Sequence, residues 1–148
     1  MMRALTKFLP LFVLLAPLTA HADMPGPHPA FLHALTDLRH ARAHLEAPRN
    51  PQVKWDEKVA IKAVDDAIGE IKRASIDDGK PLTDHPPVDA GLDHVGRLKR
   101  ALELLRKAKK DISERESNDF AHGLRDRAIA HIDRAINFTE QGMANSHR

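Results

Sequence analysis

Four segments of the chain repeat apolar residues at the three- and four-residue spacing of an amphipathic helix. The predicted helices run from about Pro29 to Ala47, from between Asn50 and Asp56 to about Ile76, from about Asp93 to a break between Asp111 and Asn118, and from that break to about Thr139. Their predicted inward residues are Phe31, Ala34, Leu35, Leu38, Ala41 and Leu45; Ala60, Val64, Ala67, Ile68, Ile71 and Ser75; Leu98, Ala101, Leu102, Leu105, Ala108 and Ile112; and Ala121, Leu124, Ala128, Ile132, Ala135 and Ile136. No segment shows the alternation of a strand.

The stretch Ile76–Leu92 between the second and third helices is much longer than the usual helix–helix link of roughly 2–8 residues. It contains Gly79, which offers a left-handed helix stop, and Pro81, Pro86 and Pro87, which prevent a helix. We therefore expect an all-α fold, an antiparallel four-helix bundle with a long Pro-rich connection between helices 2 and 3. Such a connection is either a crossover that spans the bundle or a functional loop.

The first residues have the order of a secretory signal peptide. Arg3 and Lys7 precede the apolar run LPLFVLLAPLTA, and Ala20-His21-Ala22 is a small-x-small cleavage site. The run is too short, and too interrupted by proline, for a transmembrane helix. The predicted organisation is a signal peptide over 1–22, an extended lead-in over 23–29, the bundle over 30–140 and a flexible tail over 141–148. We expect a periplasmic or secreted protein after cleavage near Ala22, with no transmembrane segment in the mature chain.

Removal of the leader changes the charge balance. The full chain has 23 Lys and Arg against 21 Asp and Glu, and the leader takes away Arg3 and Lys7 but no acidic residue. The mature chain is then neutral when histidine is uncharged, which gives no support for nucleic-acid binding. There is no cysteine, so disulfides, thiolate catalysis, covalent haem attachment and cysteine-based zinc or iron–sulfur sites are excluded.

The clearest candidate for chemistry is a polar stripe on helix 1. His33, Asp37, His40 and His44 follow one another at spacings of four, three and four, so they share one side of the helix. Neutral imidazoles and a carboxylate suit zinc, copper or nickel. The stripe lies roughly 130° from the middle of the apolar face, which predicts a solvent-facing flank. A solvated histidine-rich face is therefore the other interpretation of the same pattern.

One helix offers only two adjacent ligands to one ion, so a tight metal site needs partners from elsewhere. The candidate partners are His28 in the lead-in and His122, Asp126 and Asp133 on helix 4.

Two short motifs in the long connection have a chemical and a structural interpretation. Asp77-Asp78-Gly79 is similar to the start of a calcium loop, but the alternating acids and the closing glutamate are missing, which favours a helix stop. Asp84-His85 is an acid–imidazole pair that precedes two prolines, and no nucleophile is tied to it by spacing. We expect one of the two residues to bond to the backbone and fix the loop.

Other cofactor patterns are missing. Met24 and Met143 lie in the lead-in and the tail, so inward axial ligands for haem are not expected, and paired Glu-x-x-His motifs are absent. The basic run between Arg97 and Lys110 is compatible with anionic lipid or an acidic partner, but Glu103 interrupts it and a solvated face explains it as well. We therefore expect no resident cofactor, with zinc or copper at the stripe as the exception.

The sequence EIKRASIDDGKPLTDHPPVD, followed by GRLKRALELLRKAKKDIS, resembles a group of small, uncharacterised exported helical-bundle proteins of Gram-negative bacteria. The similarity covers roughly His28 to Asn137. The resemblance implies an exported all-α bundle, and it carries over no activity and no site residue.

The expected function is that of an exported, non-enzymatic helical bundle that binds another protein or an envelope component. The alternative is a periplasmic metal-binding or metal-buffering protein that uses His33, Asp37, His40 and His44. An enzyme is the third hypothesis. A binding module predicts a groove, for instance under Pro86-Pro87, and an enzyme predicts a pocket with convergent polar groups near His85.

Overall fold

A computed structural model describes residues 29–46, 55, 57–74, 78–114 and 119–146, without the side chains of 119–122. Over these residues the chain forms four helices and no strand: α1 (Pro29–Glu46), α2 (Glu57–Arg73), α3 (His94–Ser113) and α4 (Asp119–Ser146). The prediction of an all-α fold is confirmed. The predicted signal peptide over 1–22, the lead-in up to 28, the cap at Asn50-Pro51 and the inward positions Ser75 and Ala121 lie outside the described residues and side chains.

The core consists of the predicted inward faces. The six inward residues of α1 and the six of α3 are all buried, as are the predicted residues of α2 from Ala60 to Ile71. On α4, Ile132 is buried, whereas Ile136 is only partly buried against the core. Each buried leucine or isoleucine stabilises the fold by roughly 1.5–3 kcal/mol relative to an exposed one, so this core carries most of the stability.

Each helix packs on two others. α1 contacts α2 and α3, and α4 contacts the same two helices. Over the described residues α1 does not pack on α4, and α2 does not pack on α3. The arrangement is that of a four-helix bundle in which the consecutive helices α2 and α3 are not neighbours, so the segment between them joins two helices without mutual contact.

An ion pair spans every helix–helix interface of the bundle. These pairs are Arg42 with Asp65 at 2.6 Å between α1 and α2, Lys107 with Asp37 between α1 and α3, Arg127 with Glu70 at 3.0 Å between α2 and α4, and Lys109 with Asp133 at 2.6 Å between α3 and α4. Of these side chains only Glu70 is buried, at 7% exposure, and the others are at least partly exposed. Partly exposed ion pairs contribute about 0–1 kcal/mol each, so their main effect is on the register of the helices.

The predicted start of α3 is confirmed. The Asp93 side chain accepts a hydrogen bond from the Gly96 backbone N–H at 2.7 Å, which is the geometry of an N-cap. α2 ends at Arg73, a few residues before the predicted Ile76, and Gly79 has the left-handed backbone that its position predicts, with φ of 67°.

The end of α4 differs from the prediction. The helix was expected to stop near Thr139, ahead of a flexible tail from residue 141, but it continues to Ser146. Gly142 lies within the helix, and Trp55 packs against it. A Cβ atom at this position would lie 2.8 Å from Cδ2 and Cε3 of the indole ring. This glycine therefore permits a close approach rather than ending the helix. No helix in the described part of the chain is both long and apolar enough to cross a membrane.

Candidate functional site

The segment that leads from α2 to α3 is held by a buried arginine of α1. Arg39 has no exposed surface, donates its Nε–H to the Asp84 carbonyl oxygen at 2.9 Å, and forms an ion pair with Asp78. Burial raises the pKa of Asp78, but the hydrogen bonds from Arg39 and the Lys80 N–H and the charges of Arg39 and Lys72 together outweigh it and hold that pKa below its usual value. Lys72 adds a hydrogen bond to the Lys80 carbonyl oxygen at 3.0 Å. This segment therefore has a fixed path.

Further along, the same segment reaches the histidines of α1. The rings of His85 and His40 are parallel within 4°, with centroids 6.5 Å apart, and His40 and His44 have centroids 4.9 Å apart. Arg39 and His40 lie about 100° apart around α1, so the contacts of Asp84 with Arg39 and of His85 with His40 place this part of the segment on the outer face of the helix. That face is the one the amphipathic pattern assigned to solvent.

The prediction of a solvent-facing stripe is therefore wrong for His44, which is 3% exposed. His40 is half-buried, so it faces solvent only in part. Burial, followed by the positive charges of His40, Arg100 and Arg97, lowers the pKa of His44 from 6.5 to about 4. The pKa of His40 is also lowered, first by burial and then by Arg100 and His85, against an opposing effect of Asp37. Both imidazoles are thus neutral at pH 7.

A pocket of about 330 Å³ opens beside these two rings. It is lined by His40, His44, Pro87, Asp89, Leu92 and Arg100. Two ring nitrogens, Nε2 of His40 and Nδ1 of His44, are buried and have no hydrogen-bond partner among the described residues. Buried polar atoms normally have partners, so unpaired ones beside a pocket indicate a position where a ligand or water completes the hydrogen bonding.

The other two residues of the stripe lie apart from this pocket. His33 is exposed near the start of α1, and Asp37 forms an ion pair with Lys107 of α3. Of the four predicted ligands, the structure therefore places only His40 and His44 together in the pocket lining. In the described part of the chain, no group of three or more histidine, cysteine or acidic side chains is arranged to hold a metal ion.

Two of the four partners suggested for a metal lie away from the stripe. Asp126 and Asp133 are on α4, which over the described residues does not pack on α1, and they pair with Arg125 and Lys109. His28 and the side chain of His122 lie outside the described part. Metal binding stays a prediction, with His40 and His44 as its centre.

The acid–imidazole pair of the connection is not formed. The Asp84 carboxylate lies 3.2 Å from Lys80 Nζ, whereas His85 Nδ1 lies 2.7 Å from the Pro86 carbonyl oxygen. The carbonyl only accepts hydrogen bonds, so His85 carries a proton on Nδ1. The expectation that one of these residues bonds to the backbone is confirmed for His85.

Much of the basic run on α3 is engaged in ion pairs. Arg100 donates to Glu103 at 3.0 Å, Arg106 to Glu140 at 2.7 Å, and Lys109 to Asp133 at 2.6 Å. These pairs neutralise most of this face, which favours the interpretation of a solvated, ion-paired surface over one that attracts lipid.

Comparison of the chain with protein-family models, with curated proteins and with solved structures finds no significant match.

Proposed function

We propose that this chain is an exported, non-enzymatic binding protein whose partner, another protein or an envelope component, inserts a polar group into the pocket beside His40 and His44. The histidine pocket, as we call it from here, is the set of residues His40, His44, Pro87, Asp89, Leu92 and Arg100.

The observation that carries the proposal is the pair of unsatisfied ring nitrogens. Leaving a buried polar atom without a hydrogen bond costs about 1–3 kcal/mol, and His40 and His44 contribute one such atom each. Both atoms belong to residues that line an open pocket rather than a closed core. A ligand that supplies their hydrogen bonds recovers that free energy on binding, which favours binding of a ligand in the pocket.

The proposal includes an antiparallel bundle in which the Pro-rich connection is a crossover. Its support is the order of the contacts between α1 and α3. Asp37 pairs with Lys107, whereas His44, which comes later on α1, lies near Arg100, which comes earlier on α3. This reversed order is that of antiparallel helices. Contacts of α4 with α2 and α3 run in the same opposed order. α2 and α3 are then parallel and not adjacent, so the connection has to travel the length of the bundle, and it covers α1 as it does so.

The same pocket is also where the metal alternative has its best support. His40 and His44 are one helical turn apart, and their lowered pKa values keep the ring nitrogens free of a second proton, as a metal ligand requires. Arg100 lines the pocket as well, and its positive charge acts against a cation.

A photo-crosslinking amino acid placed at Leu92 tests the proposal in the cells that produce the protein. Leu92 lines the pocket and is only partly buried, so a bound partner lies within reach of the probe. We expect a discrete adduct at position 92 that weakens in an Arg100→Gln background. The matched control is the same probe at Lys62, an exposed residue of α2 outside the pocket. No adduct at 92, or the same adduct at 62, would contradict the proposal.

A further inference from the structure

We infer that the histidine pocket recognises an oxyanion, a carboxylate or phosphate group carried by its ligand. This inference rests on the proposed function and adds the chemical class of the ligand. Two features of the pocket support it: the positive side chains around it and its supply of hydrogen-bond donors.

Positive side chains act on both rings. Beyond the effect of burial, Arg100 and Arg97 of α3 lower the pKa of His44, and Arg100 lowers the pKa of His40. Asp37 opposes Arg100 at His40, but its carboxylate is already paired with Lys107. A group that carries negative charge is stabilised at such a position, and a cation is destabilised.

The donors converge from three side chains. A neutral imidazole carries one N–H: His44 directs it from Nδ1, and His40 directs it from Nε2 in place of the hydrogen bond that its ring makes to the Pro87 backbone. Arg100 uses Nη1 for Glu103, and a guanidinium has five N–H groups in all. Two imidazoles and a guanidinium match the several acceptor oxygens of a carboxylate or phosphate, and hydrogen bonds to a charged acceptor are the strong ones.

One acidic residue lines the pocket and provides a sharp test. Asp89 adds negative charge there, and its Oδ1 accepts a hydrogen bond from the Gly91 N–H at 2.8 Å. Asparagine keeps an oxygen for that hydrogen bond but removes the charge. Asp89→Asn therefore strengthens the binding of an oxyanion and weakens the binding of a cation, while Arg100→Gln has the opposite pair of effects.

The experiment titrates the purified mature chain, without a histidine tag, with inorganic phosphate, with acetate and with Zn²⁺ at constant ionic strength. The readouts are binding heat and the imidazole NMR signals of His40 and His44. Wild type is compared with Arg100→Gln and Asp89→Asn, and with Lys62→Gln and Asp126→Asn, which change the net charge equally at exposed positions outside the pocket. Vesicles containing phosphatidylglycerol, against phosphatidylcholine alone, distinguish a lipid headgroup from a free anion.

We expect saturable shifts of the His40 and His44 signals with phosphate or acetate, an affinity at least tenfold lower in Arg100→Gln, and a higher affinity in Asp89→Asn. The two control variants bind as wild type does. The inference is overturned if neither anion shifts these signals, or if the two control variants weaken binding as much as Arg100→Gln does. If Zn²⁺ binds and Asp89→Asn weakens it, the pocket is a cation site: the oxyanion inference then fails, while the proposed binding function stands. Failure of the proposed binding function would be detected by the crosslinking experiment at Leu92.

Discussion

The guanidinium of Arg39, which has no exposed surface, donates a hydrogen bond to the backbone carbonyl of Asp84, 45 positions later in the chain. A buried charge is costly unless it is paired and hydrogen-bonded, and an apolar residue of similar size often serves a core equally well. Here the charge orders the segment that contains Asp78 and Asp84. The position of that segment in turn determines which histidines of α1 are buried and where the pocket lies.

Replacement of Arg39 by methionine is expected to lower the free energy of unfolding by about 3 kcal/mol, because it leaves the carboxylate of Asp78 without its partner. Urea denaturation gives this value, and hydrogen exchange shows the loosening of residues 80–89. The double variant with Asp78→Asn loses less than the sum of the two single losses, by more than about 1 kcal/mol. Additive losses would mean that the ion pair contributes nothing.

The stability of the protein depends on pH through His44. Its pKa is about 4 in the folded chain and 6.5 when unfolded, so above pH 6.5 both states are neutral at this residue and it has no effect. Below that, the unfolded state binds the proton first, and stability falls as the pH drops to about 4 by up to roughly 3 kcal/mol.

The measurement is the difference between the urea stability curves of wild type and His44→Gln across this pH range, which cancels the carboxylates common to both. We expect the difference to change with falling pH in favour of the variant. A difference that is flat between pH 6.5 and 4 would show that His44 is not buried as described.

Two glycines in helices are expected to respond in opposite directions to alanine. At Gly142 a Cβ atom would lie 2.8 Å from the Trp55 ring, so Gly142→Ala forces the ring to move and destabilises by about 1 kcal/mol, in spite of the better helix propensity of alanine. At Gly69 nothing lies within 4 Å, so Gly69→Ala stabilises by about 0.5–1 kcal/mol.

Both glycine variants are measured by thermal or urea unfolding. Trp55 is the only tryptophan of the chain, so its fluorescence also reports whether its environment changes in Gly142→Ala. A stabilised Gly142→Ala with unchanged fluorescence would place Trp55 away from α4.

The leader is expected to be removed on export. Intact-mass analysis of the protein from cell fractions should give a chain that starts at Asp23, in the periplasm or the medium. Ala22→Arg blocks cleavage and leaves the precursor, whereas Ala4→Arg, which adds the same charge near the existing basic residues, still yields the mature chain. Recovery of a wild-type chain that retains residues 1–22 would be the contrary outcome.

The sequence predicted the helices and their inward faces well because each face follows from the period of one helix. Leu38 and Ile68 could be assigned to the core without knowing what packs on them. The burial of His44 could not, since it depends on a segment more than 40 residues away that lies on the outer face of α1. The role of Arg39 was missed for the same reason, and the pattern of α1 contains no signal that distinguishes it from an exposed arginine.

The role of Gly142 was also predicted incorrectly. A glycine near the end of a helical pattern is typical of a C-cap, and only the contact with Trp55 shows that it is a packing position within α4. By contrast, the start of α3 near Asp93 and the left-handed backbone at Gly79 depend on the neighbouring chain alone, and both were predicted, although α2 ends at Arg73, ahead of Gly79.

The contacts of Asp84 and His85 with α1 have a consequence for the order of events during synthesis. α1 is the first of the four helices to be made, but its outer face stays uncovered until the chain has been extended past Asp84 and Pro87. With 45 residues separating Arg39 from Asp84, this interval lasts roughly 2–9 seconds at ordinary elongation rates. Over that time Arg39 and both histidines are open to water and to chaperones. The histidine pocket can form only when more than half of the protein has emerged, because its lining extends to Arg100 of the 148 residues.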